Sequence, residues 1–235
     1  GFEHRPAFGQ PYNPEYYVNL IERQGFTMNR ETVSGYLNSE TPFDGRIHQV
    51  AERIQKRRGL RVARYKNAKD LRTLLPHLKD LYNGSLGDAG TNVPITDEEI
   101  VSLGEQLIWI ADPKLVKVVF KGDKPVGFVL AYPDISAAIQ KTRGKLLPFG
   151  WISALIEKGH TDWLNFNGAG ILEEYRGSGG LAILFSEIYK SVTESGQFNH
   201  AEVVQIRTEN ENMLREMRNF GIEFYKKHRL YEKKL

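Results

Sequence analysis

Apolar residues are spaced in two different ways along the chain after residue 59. Residues 60–65 (Leu-Arg-Val-Ala-Arg-Tyr) are a short run in which apolar residues are interrupted by two arginines, a pattern close to alternation that predicts a strand. The leucines of residues 70–82 recur at helical spacing, which predicts a helix. A second helix is expected from Thr96, because Thr96 followed three residues later by Glu99 has the pattern of a capping box.

The residues after this helix predict several strands and one glycine-rich loop. Residues 115–120 and 126–132 flank the short sequence Lys-Gly-Asp-Lys-Pro, which predicts a β-hairpin. Residues 164–172 have the pattern of a strand that runs into closely spaced glycines, and residues 181–195 that of the helix after them. Another strand at 201–206, a helix and a last strand follow. This order predicts a mixed α/β (α+β) domain with a largely antiparallel, twisted sheet flanked by helices.

The loop at residues 176–180 carries the clearest chemical signal. Gly177, Gly179 and Gly180 let the backbone turn sharply and bring its N–H groups close to a ligand. The helix that follows points the positive end of its dipole and its unpaired N–H groups into this loop. Arg176 adds a permanent cation. The loop is therefore predicted to bind an anion, and a pyrophosphate is the usual ligand of such a loop.

The sequence Tyr-Arg-Gly-Ser-Gly between a strand and a helix resembles the acetyl-CoA-binding motif of the GNAT acyltransferases, Arg/Gln-x-x-Gly-x-Gly/Ala. Arg176 and Gly179 match its first two fixed positions, whereas Leu181 stands where the motif has Gly or Ala. Asn210 and Met213 match the Asn and the apolar residue that GNAT domains show further downstream. The order of predicted elements after residue 60 is also that of a GNAT domain.

The resemblance implies an acetyl-CoA-dependent N-acetyltransferase that acts on a primary amine of a small molecule. It implies contacts with acetyl-CoA from Ile171, Leu172, Arg176, Gly177, Ser178, Gly179, Gly180, Leu181, Asn210, Met213 and Met217. A backbone N–H at Ile171 or Leu172 would stabilise the oxyanion. Met217 occupies the place where many members have a Tyr that protonates the CoA thiolate, so the usual general acid is missing.

Acyl transfer to an amine needs a general base, because the amine must be neutral when it attacks the thioester carbonyl. Glu202, Glu173 and His200 are the candidates for this base, although Glu202 also suits an ion pair and His200 a structural position. Tyr225 and Tyr231 are the candidates for the acid, and both also suit a packed strand.

Asn210 combines two roles in this interpretation. Its amide would orient the pantetheine arm or the substrate, and its side chain would cap the next helix.

The segments 84–96 and 133–163 are expected to form a lid or acceptor wall, because long insertions between strands are usually functional. Met217 and Leu181 depart from the motif and favour an alternative, a catalytically silent GNAT-like module that binds acyl-CoA or a partner.

Residues 1–59 are predicted to be an N-terminal extension, and residues 60–235 the GNAT domain. A helix pattern at Tyr16–Gln24 is stopped by Gly25, and a similar helix, glycine and strand recur near the other end of the chain. Residues 1–40 are therefore expected to be the tail of a preceding GNAT-like half, with residues 46–58 as a linking helix. An ordinary helix followed by a strand is the open alternative.

Composition narrows the remaining classes of function. The 235 residues carry a net charge of +3 and no cysteine, which excludes disulfides, thiolate metal sites and a cysteine nucleophile. The six histidines are scattered, so no metal is expected.

Basic runs at 55–58 and 226–229 suit solvated faces, and nucleic acid is not an expected partner. No apolar run approaches the roughly 20 residues that span a bilayer, and the first residues have no secretory pattern. A cytoplasmic protein without a membrane partner is expected, and a homo-oligomer is left open.

Overall fold

The computed structural model describes residues 1–41, 44–86 and 94–234. Its strands are β1 (Thr27–Asn38), β2 (Leu60–Ala63), β3 (Val116–Lys121), β4 (Lys124–Pro133), β5 (Trp163–Ile171), β6 (His200–Arg207) and β7 (Glu223–Glu232). Its helices are α1 (Tyr16–Arg23), α2 (Arg46–Arg58), α3 (Ala68–Arg72), α4 (Leu75–Leu86), α5 (Asp97–Ile110), α6 (Ser136–Lys141), α7 (Gly150–His160), α8 (Gly180–Ser195) and α9 (Glu211–Asn219).

The strands form one sheet in the order β2-β3-β4-β5-β6-β1-β7. The pairs β1–β6, β1–β7, β2–β3 and β3–β4 are antiparallel. The predicted fold class, a mixed α/β protein with a largely antiparallel sheet, is therefore confirmed.

Most of the predicted local elements are confirmed, and one is wrong. The hairpin appears as β3 and β4, and the capping box starts α5, where Thr96 Oγ1 accepts a hydrogen bond from Glu99 N. The single helix predicted at 70–82 is instead two helices, α3 and α4. Pro76 in the first turn of α4 explains the break, because a proline has no N–H to donate and its ring clashes with the carbonyl four residues earlier.

The chain divides into two compact units, and each is built from separate stretches of sequence. The first comprises Gly1–Phe43, Asp134–Asn165 and Asn199–Leu235, and the second Asp44–Pro133 and Phe166–Phe198. The expected extension contributes β1 to the first unit and α2 to the second. The division predicted at residue 59 stays a prediction.

In the first unit, β1 lies between β6 and β7. Tyr36 is registered against Glu202 of β6 on one side and Glu223 of β7 on the other. The segment 134–165 of this unit includes most of the acceptor wall predicted at 133–163, and it contains α6 and α7. Within the other predicted part of the wall, residues 87–93 lie outside the described residues.

In the second unit, the leucines that predicted a helix form part of a buried core. Leu71, Leu74 and Leu81 pack with Val116 and Val118. Burying a side chain of this size contributes roughly 1.5–3 kcal/mol relative to exposing it. The helix α8 adds the buried Ile183, Leu184 and Ile188, which hold its inner face in the core while its N-terminus meets the glycine-rich loop.

Candidate functional site

The glycine loop (residues 176–180) joins β5 to α8 through a short 3-10 helix at Glu173–Tyr175. Gly177 and Gly179 have φ of +72° and +83°, a left-handed conformation that side chains with a Cβ rarely adopt. Ser178 N donates to Tyr175 O at 3.1 Å and fixes the turn between the two glycines. A Cβ on Gly177 would meet no atom within 4 Å, so the backbone is open there.

The other side of the loop is closely packed. A Cβ on Gly179 would lie 2.5 Å from Ile54 Cδ1 of α2. A Cβ on Gly180 would lie 2.8 Å from Ile171 Cδ1, at the end of β5. These contacts anchor the loop to the helix and strand beside it, so that its backbone is held in one conformation.

The N-terminus of α8 is left without an internal cap. Its N-cap, Gly179, has no side chain to accept a hydrogen bond, and the first turn contains no acidic residue. The helices α3, α5 and α9 differ, because Asn67, Thr96 and Asn210 cap them. Ser178 Oγ is buried and has no hydrogen-bond partner within the described residues. Unpaired N–H groups, an uncompensated helix dipole and an orphaned hydroxyl together suit an anionic ligand.

Two exposed charged side chains, an ion pair and one apolar side chain flank the glycine loop. Arg176 is exposed at the beginning of the loop, and Glu173 is also exposed. Glu174 is paired with Lys124. Leu181, which replaces a small residue of the motif, is half-buried in the first turn of α8.

One of the two candidates for the oxyanion donor has a hydrogen-bond partner within the protein. Leu172 N donates to Val126 O at 2.9 Å, so this N–H is engaged within the protein. Because a backbone N–H carries only one hydrogen, Leu172 would have to give up this bond to act as the donor, and its assignment stays a prediction. Ile171 stays the predicted donor.

Several of the predicted catalytic residues lie in the first unit, in a polar cluster of Tyr36, His200, Glu202, Tyr225 and Lys226. Glu202 is 3% exposed and Lys226 is 5% exposed. Lys226 Nζ lies 2.9 and 2.8 Å from the two carboxylate oxygens of Glu202, and Tyr225 OH donates to Glu202 Oε2 at 2.8 Å. Burial and the hydrogen bond to Glu202 raise the pKa of Tyr225 well above its usual range, so the phenol is protonated at neutral pH.

His200 forms the more exposed part of the polar cluster. Its Nδ1 lies 2.7 Å from Tyr36 OH, and its Nε2 lies 3.7 Å from Asp162 Oδ2. The ring stacks on Trp163 with centroids 4.9 Å apart. The structure therefore places His200 between a phenol and a carboxylate, an arrangement that fixes the orientation of the ring.

The remaining candidates have structural contacts. Asn210 Oδ1 accepts from Met213 N at 3.2 Å, which makes Asn210 the N-cap of α9. Met213 is half-buried, and Met217 is 1% exposed. Tyr231 OH donates to Glu22 Oε1 at 3.2 Å. The predicted role of Asn210 as a helix cap is confirmed. Contacts of Asn210, Met213 and Met217 with CoA stay predictions.

Sequence reasoning missed some members of this region as site residues. Tyr36 was not a candidate, because its partner His200 is 164 residues away in sequence. Asn165 was also missed: its Nδ2 donates to Asp134 Oδ1 at 3.2 Å, while its buried Oδ1 has no partner among the described residues. The sequence signal for Asn165 was that asparagines interrupt the apolar residues of the strand predicted from residue 164. The described part of the chain groups no three His, Asp or Glu side chains that could hold a metal ion.

Comparison with solved structures matches this architecture to one fold. A GCN5-related N-acetyltransferase from Sphaerobacter thermophilus superposes on 93% of this chain and 56% of its own, with a TM-score of 0.56 and 14% identity. A tandem GNAT protein from the clavulanic acid biosynthesis pathway superposes on 95% of this chain and 60% of its own, with a TM-score of 0.55 and 8% identity. The chain has the GNAT fold. The resemblance found in the glycine loop is thus confirmed at the level of the fold.

Two curated proteins are similar to this GNAT-fold chain along its whole length. A protein named YghO from Escherichia coli (strain K12) is 23% identical over 249 residues, and a bacterial ceramide synthase from Caulobacter vibrioides (strain NA1000 / CB15N) is 27% identical over 255 residues. The chain spans 61% and 62% of their lengths. No protein-family model matches the chain.

Proposed function

We propose that the protein transfers an acyl group from acyl-CoA to a primary amine. The observation that carries this proposal is the uncapped N-terminus of α8 behind Gly177 and Gly179, where the buried Ser178 Oγ lacks a partner among the residues that the structure describes. The pyrophosphate of CoA supplies the negative charge and the hydrogen-bond acceptors that these groups require. Backbone N–H groups of Gly177 and of residues 179–182 would hold it, with Arg176 as the nearby cation, because Ser178 N already donates to Tyr175 O.

The polar cluster supports a division of roles for the transfer. Both oxygens of Glu202 already accept hydrogen bonds from Lys226 or Tyr225, so Glu202 is poorly placed to take another proton. We assign Glu202 to positioning Tyr225, and the general base to His200. When Nδ1 of His200 donates to Tyr36, Nε2 has the free lone pair that accepts the proton of the attacking amine.

Tyr225 suits the acid in this scheme. Its hydroxyl carries the proton that it donates to Glu202 Oε2, and in this assignment that proton passes to the leaving thiolate. Met217 is buried and carries no ionisable group, which removes it as an acid. The oxyanion is assigned to the backbone N–H of Ile171.

The predicted donor and acceptor are acetyl-CoA and a small-molecule amine. A second candidate pair comes from the relative named as a ceramide synthase, since a ceramide is the N-acylated form of a long-chain amino alcohol. Both pairs use the same bond changes: the amine nitrogen bonds to the thioester carbon, the carbon–sulfur bond breaks, and the amine loses one proton. They differ in the length of the acyl chain and the acceptor.

One experiment separates these proposals from a catalytically silent module. The protein is incubated with acetyl-CoA or palmitoyl-CoA and with a panel of small amines or sphinganine, and free thiol and N-acyl product are measured. Thiol release matched by product supports transfer and identifies the pair. Calorimetric binding of CoA without product from any pair would favour the silent module, and no binding of CoA would overturn the assignment of the glycine loop.

The assignment of the base is tested with His200→Gln and Glu202→Gln. We expect His200→Gln to lower kcat by about a hundredfold or more, in the range of a lost general base, and to remove the limb of the pH–rate profile that belongs to the base. Glu202→Gln should preserve that limb. His160→Gln serves as the control, because His160 is exposed at the end of α7. A base limb that disappears only in Glu202→Gln would reverse the two roles.

A further inference from the structure

The helix α7 exposes its apolar side. Trp151, Ile152, Leu155 and Ile156 form one stripe along the helix, and all four are exposed. Its buried position is the small Ala154. A surface helix of a soluble domain normally shows the opposite arrangement, with polar residues outside and an apolar stripe in the core.

The loop before α7 extends the same surface. Leu147 is 81% exposed and Phe149 is 72% exposed, and Leu146 beside them is also exposed. We call these three residues and the α7 stripe the apolar patch. A groove of about 470 Å³ runs between α6 and α7, and Ala138, Phe149, Ile152 and Ile156 contribute to its lining. Contiguous exposed apolar surface of this kind marks an interaction site.

The charges around the apolar patch have one predominant sign. Residues 135–160 contain Lys141, Arg143, Lys145 and Lys158, against a single carboxylate, Glu157. The first three are exposed next to the apolar loop. Because two copies of this surface would bring cations against cations, the charges disfavour self-association and favour an anionic partner.

We propose that the apolar patch docks on the surface of an anionic phospholipid bilayer. Bulky apolar residues on one side, including Trp and Phe, with Lys and Arg beside them, are the composition of segments that lie in the membrane interface. Leu147 and Phe149 would enter the boundary between headgroups and acyl chains, and the cations would contact the lipid phosphates. No helix in residues 1–41, 44–86 and 94–234 has the length and apolar composition needed to cross a bilayer, and surface docking requires none.

This inference does not rest on the proposed acyl transfer, since its readout is vesicle binding. The protein is sedimented with vesicles of phosphatidylcholine, alone or with about 30% phosphatidylglycerol, because anionic headgroups attract basic segments. We expect binding to the mixed vesicles and weaker binding at about 0.5 M salt, where charges are screened. Leu147→Asp/Phe149→Asp should lower the partition coefficient by about tenfold or more, because burial of two large apolar side chains is lost.

A matched control is offered by α5 of the second unit. Val101→Asp/Trp109→Asp also replaces two exposed apolar residues, of which Trp109 is 56% exposed, but it lies outside the apolar patch. We expect this control to bind vesicles as the wild type does. Thermal melts confirm that both variants fold. Equal binding of the patch variant and the wild type, or no binding of the wild type, overturns the proposal. Loss of a wild-type dimer in the patch variant without vesicle binding would assign the patch to a second copy.

Discussion

Glu202 and Lys226 form a buried ion pair although a third strand separates the strands that carry them. Glu202 lies in β6 and Lys226 in β7, and β1 runs between these strands. Both side chains reach over β1, where Ser34 is registered against Lys226 and Tyr36 against Glu202. Lys226 Nζ also donates to Arg5 O at 2.7 Å, which ties the N-terminal residues to the same cluster.

Removing one partner of this pair should destabilise the protein strongly. Glu202→Leu or Lys226→Met alone leaves an uncompensated buried charge, and we expect a loss of about 3–5 kcal/mol in the free energy of unfolding. The double variant should recover much of this loss, because no charge is then left unpaired. Urea unfolding of the four proteins provides the measurement. Losses that simply add in the double variant would show that the two side chains are not coupled.

Gly179→Ala should weaken CoA binding as well as folding. The added Cβ meets Ile54 and sits at a left-handed φ, so the loop must move. We expect a loss of about tenfold in affinity for CoA, or about 1.4 kcal/mol, by calorimetry. Gly122→Ala is the control, since Gly122 has φ of +59° but open space around it. It should lose about 1–2 kcal/mol of stability from the left-handed conformation and retain CoA affinity. Equal affinity in both variants would exclude the glycine loop as the phosphate site.

Asn210→Ala tests whether this cap has a second role. Loss of the cap of α9 should cost about 1 kcal/mol in unfolding free energy. Asn67→Ala removes the comparable cap of α3, in which Asn67 Oδ1 accepts from Asp70 N at 3.0 Å. We expect Asn210→Ala alone to lower kcat/KM or CoA affinity, measured per folded molecule. If both variants change stability but neither changes kinetics, Asn210 is a helix cap and nothing more.

Met217→Tyr should not supply the missing acid. Met217 is buried on α9, and a larger ring at this position overpacks the core at a cost of about 1–3 kcal/mol. We expect a lower melting temperature and no increase in turnover. Met213→Tyr makes the same substitution on the same helix and is the control for overpacking, because Met213 is only half-buried. A higher turnover in Met217→Tyr at unchanged stability would contradict this prediction.

His228 should make the protein sensitive to mild acid. Burial lowers the pKa of His228 from its ordinary 6.5, and Ser34 Oγ lies 2.9 Å from its Nε2. The unfolded chain therefore binds this proton more readily, so the contribution to stability is complete above pH 6.5 and is lost as the pH falls below that value. Urea unfolding at about pH 7.5 and about pH 5 should show a larger decrease for the wild type than for His228→Gln. An equal decrease in both would exclude His228 as a source of the sensitivity.

The sequence by itself determined the local elements of this protein and the glycine loop. The capping box at Thr96, the hairpin at 115–132 and the strand, loop and helix around Gly179 depend on residues close together in the chain. Turn geometry, helix caps and side-chain periodicity act over such short distances, so the pattern of residues is sufficient to predict them. The same local reasoning missed the break before α4, where Pro76 outweighed the leucine periodicity.

Only the tertiary structure decided which residues gather around Glu202. The insertion of β1 between β6 and β7 brings Tyr36 against His200, and it places Lys226 and Tyr225 on the carboxylate of Glu202. Strand pairing between distant segments is set by burial and hydrogen bonding of the whole sheet, and no local pattern encodes the partner. The outward orientation of the apolar residues of α7 was likewise decided by the tertiary structure, because it depends on which side of the helix packs against its neighbours.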